Sequence, residues 1–121
     1  MKVLVADDNL MFRKLIGRYL EKYPEVVVVG EALDADGAIR KSKEFAPDIV
    51  ILDVNMPGQG ETTACAAIKE ASPRTRVYVC SAHSDRVLKE IAIAANADGS
   101  IRKSTLSSDL AKIIRLELQK S

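Results

Sequence analysis

The chain has 121 residues, 47% hydrophobic and 29% charged, with 18 basic against 17 acidic side chains and a formal charge of +1. That length suits one domain, residues 1–121, around one core. The even charge balance gives no global field toward nucleic acid or anionic lipid. The apolar runs are too short to span a membrane, and the first residues read as a strand rather than a signal peptide. The expected location is therefore cytoplasmic, with no direct nucleic-acid or membrane partner.

Strand-like and helix-like segments alternate five times, which predicts a parallel sheet with helices on both faces. Lys2 to Ala6 is a nearly continuous apolar run, as in a strand covered on both faces. Asn9 is a suitable N-cap for a helix to Lys22, with Phe12, Leu15, Ile16, Tyr19 and Leu20 at helical spacing. Val26 to Val29 is the second strand, ended by Gly30. Asp34 to Phe45 reads as a helix despite Gly37, and Ile49 to Asp53 as the third strand. Pro57, Gly58 and Gly60 make residues 54–60 a loop. Glu61 to Ala71 is a helix stopped by Ser72-Pro73, and Arg76 to Cys80 is the fourth strand. Ser84 to Asn96 is the fourth helix, Ser100 to Arg102 the fifth strand, and Thr105 to Gln119 the last helix. Leu106, Leu110, Ile113 and Ile114 face inward from that helix, whereas Leu116 and Leu118 fall off the stripe and read as exposed. Cys65 and Cys80, in no metal-like spacing, read as small buried thiols.

In an open parallel α/β sheet, chemistry gathers at the carboxyl ends of the strands. Asp7 and Asp8 follow the first strand, Asp53 closes the third, Ser81 follows the fourth, and Lys103 follows the fifth. Three carboxylates, a hydroxyl and an ammonium on one edge suit a divalent metal and a phosphoryl group. Mg²⁺ (or Mn²⁺) is a hard ion that takes one or two carboxylates together with phosphate oxygens. Phosphoryl transfer needs placement and charge neutralisation more than covalent help. Asp53 is then the nucleophile, Lys103 a point charge on one phosphoryl oxygen, and Ser81 a donor to another. Ala82 is small enough to leave the entry open.

These stretches carry a family resemblance over essentially the whole chain. Val-Leu-Val-Ala-Asp7-Asp8, Asp48-Ile-Val-Ile-Leu-Asp53-Val-Asn-Met-Pro57-Gly, Val-Cys-Ser81-Ala82 and Asp98-Gly99-Ser-Ile-Arg-Lys103 resemble the receiver domain of two-component response regulators. The resemblance implies a flavodoxin-like (βα)5 fold, a doubly wound five-stranded parallel α/β sheet in the order 2-1-3-4-5. It implies Asp53 as phosphoacceptor, Asp8 as a direct Mg²⁺ ligand and Asp7 as the acid holding a metal-bound water. Asn55 matches the position whose backbone carbonyl completes the ligand set. Ser81 matches the hydroxyl that moves onto the phosphoryl group, and Lys103 the lysine that pairs with it. The implied donor is a phosphohistidine on a sensor histidine kinase or a histidine phosphotransfer domain, with a downstream protein target. No enzyme activity is expected beyond phosphorylation and dephosphorylation of Asp53 itself. Gly30-Glu31-Ala32 and Met56-Pro57-Gly58 are similar to receivers that precede a helix-turn-helix domain; the expectation for this chain is a receiver without such an output domain.

Three positions depart from the family pattern. Ser100 stands where an aromatic switch residue is usual, three positions before the lysine. Ser104 follows Lys103 in place of a proline, where a cis peptide would cost roughly 3 kcal/mol. The loop from Asp53 to Gly60 is one residue shorter than usual. His83 reads as an exposed loop histidine near the phosphoryl entrance. Rival readings are a receiver excised from a DNA-binding regulator, a phosphorylation-independent interaction module, and an aspartate-nucleophile phosphohydrolase. The last wants a second acid two residues after the nucleophile, where Asn55 stands.

Overall fold

The structure, a computed structural model, describes residues 1–58 and 60–120, and of Glu61 only the backbone. Five parallel strands, β1 (Lys2–Ala6), β2 (Val27–Ala32), β3 (Ile49–Asp53), β4 (Arg76–Ser81) and β5 (Gly99–Arg102), form one sheet in the order β2-β1-β3-β4-β5. The helices are α1 (Leu10–Leu20), α2 (Ala35–Phe45), α3 (Glu61–Ala71), α4 (Asp85–Ala95) and α5 (Leu106–Lys120), and a 3-10 turn, Lys103–Thr105, precedes α5. The predicted fold class and strand order are the observed ones. Among the described residues no helix is long and apolar enough to cross a membrane.

Alternation along the strands splits the core in two. Leu4, Ala6, Val50, Leu52 and Val77 pack against Ala35 and Ala38 of α2 and Ala64, Cys65 and Ile68 of α3. Val3, Val5, Ile49, Ile51, Tyr78, Cys80 and Ile101 pack against Ile16 and Leu20 of α1 and Leu106, Leu110 and Ile114 of α5. Val79 meets Leu88 and Ala92 of α4. The small residues of α2 and α3 let those helices lie close to the sheet. Both cysteines are fully buried, as expected, and burial pushes the Cys80 thiol up to about 12.

Local chemistry sets the element ends. Asn9 accepts from Phe12 N–H at 3.0 Å and Asp34 from Gly37 N–H at 2.7 Å, and Ser84 caps α4 through Val87 N–H. These side chains occupy donors that helix starts leave unpaired. The glycine inside α2 belongs there, because a β-carbon at Gly37 would lie 3.0 Å from the capping Asp34 oxygen. α1 stops at Leu20 rather than Lys22, and α5 starts and ends one residue later than predicted.

Three expectations are corrected. β2 does not end at Gly30 but runs to Ala32, because Gly30 is a site of close packing, with Leu4 and the Phe45 ring each 3.4 Å from where its β-carbon would stand. A register shift in the ladder accompanies it: Val3 pairs with Val28 but Leu4 with Gly30, leaving Val29 over. A glycine inside a strand often marks such a bulge or close approach. Leu15 is 39% exposed, on the rim of a groove between α1 and the start of α5 rather than in the core. Leu118, expected outside, packs against the α1–α5 side of the core, while Leu116 is exposed as read. No described peptide bond is cis, so the Lys103–Ser104 bond is trans. The loop-length expectation includes Gln59, which lies outside the described residues.

Candidate functional site

Ladder register brings the acids together. Ala6 pairs with Leu52, so the next residues, Asp7 and Asp53, leave adjacent strands side by side. Ligand oxygens of Asp7, Asp8 and Asp53 all lie within 4.8 Å of one another. Asp7 and Asp53 are buried and Asp8 is exposed, so the cluster has a dry floor and an open lip.

The floor is anchored through Asp7. Its N–H donates to Ala32 O at 3.0 Å, which is why the full length of β2 matters to the site. Its Oδ1 accepts from Asn9 N–H at 2.9 Å. Arg13 donates to its carbonyl at 2.7 Å and is itself held by Glu31 at 2.9 Å. The other oxygen, Oδ2, is buried without a hydrogen-bond partner. It lies 3.1 Å from Lys103 Nζ, close enough for an ion pair though not aligned for a hydrogen bond.

Lys103 reaches over the site from the start of the 3-10 turn. Its Nζ is 3.6 Å from Asp53 Oδ1 and 4.3 Å from the centre of the Phe12 ring. Burial works against the ammonium, but Asp7 and Asp53 outweigh it and hold the Lys103 pKa above its usual value. Asp53 is pushed up by burial and by Asp7, with Lys103 and the Asn55 N–H, 3.3 Å from Oδ1, opposing. Crowded carboxylates, one of them with a buried oxygen met only by the Lys103 ammonium, are the electrostatics of a site that fits a hard cation.

Ser81 is fully buried at the end of β4, and its hydroxyl accepts from His83 N–H at 3.0 Å. It lies one residue beyond Cys80, the ladder partner of Asp53. Asn55 and Ala82 are exposed, as is His83. Ser100 is half-buried and borders a 250 Å³ hollow with Asp85, Lys89, Arg102, Asp109 and Lys112. Charged side chains thus line the region beside β5.

Two contributors escaped the sequence reading. Phe12 read as one more residue of the apolar stripe, yet its ring faces the Lys103 ammonium. Arg102, just before that lysine, is gripped by Asp109 of α5 at 2.9–3.2 Å. No local pattern announces either contact: Phe12 and Lys103 lie on elements far apart in sequence, and Arg102 meets Asp109 only because a turn folds α5 back toward the end of β5.

Comparison with known proteins agrees with this geometry. The model of the response regulator receiver domain matches residues 3–115. The probable transcriptional regulatory protein NarL of Mycobacterium tuberculosis (strain ATCC 25618 / H37Rv) is 32% identical over 114 residues, 94% of this chain and 53% of that protein. The response regulator protein VraR of Staphylococcus saprophyticus is 31% identical, covering 95% of this chain and 55% of that one. The chain thus spans about half the length of these curated relatives. Among solved structures, the signal receiver domain of the putative NarL of Mycobacterium tuberculosis superposes with a TM-score of 0.86 at 32% identity, over 99% of this chain and 96% of that one. The chain belongs to the response regulator receiver domain family of two-component signalling.

Proposed function

We propose that the chain is a phosphoacceptor receiver that takes a phosphoryl group from a phosphohistidine onto Asp53 and signals by the resulting conformational change. The observation that carries this reading is the placement of the Lys103 ammonium between Asp7 and Asp53, 3.1 and 3.6 Å away, above a buried Asp7 oxygen with no hydrogen-bond partner. Asp8, Asp53 and the Asn55 carbonyl would hold Mg²⁺, with Asp7 acting through a water. The ion would supply positive charge for an oxygen of the transferring group.

The residues divide the work. An Asp53 oxygen attacks phosphorus in line; the new P–O bond forms as the P–N bond breaks, and the donor ring, protonated on its other nitrogen, leaves with the electron pair as neutral imidazole. Lys103 neutralises an equatorial oxygen without gaining or losing a proton. Ser81 donates its hydroxyl hydrogen to another oxygen, a hydrogen that its present role as acceptor from His83 N–H leaves free. Hydrolysis of the acyl phosphate returns Asp53 as a carboxylate.

The donor reading has its own support. Leu10, Met11 and Leu15 are 51%, 71% and 39% exposed on α1, beside Lys14 and Arg18. An apolar patch ringed by cations next to the acidic site suits a histidine-bearing helix of a sensor kinase or phosphotransfer domain. The downstream target is a protein; the formal charge of +1 gives no reason to invoke direct nucleic-acid binding by this chain.

The test is intact mass after incubation with acetyl phosphate or phosphoramidate and Mg²⁺, with Asp53→Asn alongside. One added phosphoryl group on the parent, absent from the variant and absent without Mg²⁺, is expected. Equal labelling of parent and variant would overturn the assignment.

A further inference from the structure

We propose that Asp109, on α5, is a positioning residue that aims the Lys103 ammonium into the acidic site by clamping Arg102. The proposal rests on the receiver reading only for what Lys103 does there, not for how it is held.

Lys103 needs such a device. β5 is the edge of the sheet and pairs with β4 alone, and its last ladder pair is Arg102 with Ser81. Beyond that pair the strand ladder supplies nothing to fix Lys103, a flexible side chain on a four-carbon stem. Asp109 takes over where the ladder stops. Its Oδ2 accepts from the Arg102 backbone N–H at 2.9 Å and from Nε at 3.2 Å, and its Oδ1 accepts from Nη2 at 3.1 Å. Both carboxylate oxygens are used, in a forked geometry that fixes orientation as well as distance. Asp85, the first residue of α4, adds a second negative charge 3.8 Å from Nε.

Arg102 is extended, with φ −85° and ψ 129°. Successive side chains of an extended segment point to opposite sides. Lys103 opens the 3-10 turn directly after this extended residue, and with Arg102 pinned toward Asp85 and Asp109 its own side chain lies over the carboxyl ends of β1 and β3, beside Asp7 and Asp53. The Phe12 ring then meets the ammonium end. Asp109 is 8% exposed although it lies in the first turn of a surface helix, so its carboxylate is held largely out of water while the Arg102 side chain, 36% exposed, reaches in to it. Burial raises the Asp109 carboxyl, but its bonds to Arg102 outweigh this and hold it below the usual value.

The clamp is tested by two readouts that a merely structural role would not separate. The first is the acetylation rate of each lysine under trace acetic anhydride, read by mass spectrometry. Asp109→Ala is expected to raise the rate at Lys103 several-fold, with exposed Lys14 unchanged. The second compares Mg²⁺ and beryllofluoride, a phosphoryl mimic. Affinity for beryllofluoride is expected to fall several-fold while Mg²⁺ affinity does not fall, because a loosened Lys103 no longer opposes the metal. Asp109→Asn, which keeps a neutral acceptor for the Arg102 N–H, serves if the alanine variant does not fold and should show the same signs more weakly. Unchanged Lys103 labelling in the folded variants overturns the clamp, as does a parallel loss of both ligands. Failure of the parent protein to bind beryllofluoride would instead condemn the phosphoacceptor reading, and the labelling experiment would still decide the clamp.

Discussion

Gly99 and Tyr78 pair across β5 and β4 so closely that a β-carbon on residue 99 would lie 2.7 Å from Cε1 of the ring. The ring cannot swing away freely, because its hydroxyl donates to Glu117 Oε1 at 2.7 Å in a buried bond. Burial and that carboxylate drive the Tyr78 hydroxyl well above its usual pKa. Gly99→Ala should therefore cost about 1–3 kcal/mol through overpacking, measured as a shift in the urea midpoint. Gly17 is the control: no atom outside its own stretch of helix stands within 4 Å of where its β-carbon would be. Gly17→Ala should instead stabilise α1 by about 1 kcal/mol.

Asp53 should make stability depend on pH. Its folded pKa is raised, so the folded chain holds this proton more tightly than the unfolded chain, whose value is near 3.8. Ionising Asp53 therefore costs folding free energy. The cost is absent below pH 3.8, grows as pH rises toward the folded pKa, and is complete above it. In metal-free buffer, Asp53→Asn should raise the melting temperature more at pH 8 than at pH 4.5. A gain of equal size at both would place the effect elsewhere than in this ionisation.

The two leading acids should separate in metal titrations. Asp8 is exposed, whereas Asp7 is buried, accepts from Asn9 N–H and stands beside Lys103. Asp8→Ala should weaken Mg²⁺ binding more than Asp7→Ala and leave the thermal midpoint nearly unchanged. Asp7→Ala should lower that midpoint as well, since it removes a buried carboxylate that accepts from the Asn9 N–H and pairs with Lys103. Calorimetric titration and a melt on each variant give both numbers, and the reverse order of affinities would reject the assignment of Asp8 as direct ligand.

Phe12→Leu keeps an apolar side chain but removes the ring face from Lys103. A cation–π contact of this kind is worth about 1 kcal/mol. Phosphorylation by acetyl phosphate should slow several-fold while far-UV circular dichroism and the Mg²⁺ titration stay as in the parent protein. An unchanged rate would mean that the carboxylates alone hold the ammonium.

Much of this architecture was legible because each cue was local. β3 and α3 begin and end where the Ile-Val-Ile-Leu run and the Ser72-Pro73 stop put them. The acids and Lys103 could be grouped because parallel strands deliver their carboxyl ends to one edge. The Asp7, Asp8 and Asp53 cluster and the approach of Lys103 meet that expectation. Illegible features depended on partners outside the residue's own strand or helix. Gly30 reads as a stop until Leu4 and Phe45 are seen against it, and Leu118 as exposed until the core is seen reaching the end of α5. Arg102 and Asp109 are ordinary surface types in isolation, and only the turn between them makes one the other's acceptor.

The surplus residue in β2 has a consequence for solubility. Val28 pairs with Val3 and Gly30 with Leu4, so every ladder pair could be kept with one residue fewer. What Val29 adds is an interruption. β2 is an outer edge of the sheet, and Val27 and Val28 are 56% and 37% exposed there. A flat valine-rich border of that kind invites a strand from another molecule to add on. The break in the ladder bends and twists that border, so an incoming strand would find no straight row of donors and acceptors to zip against.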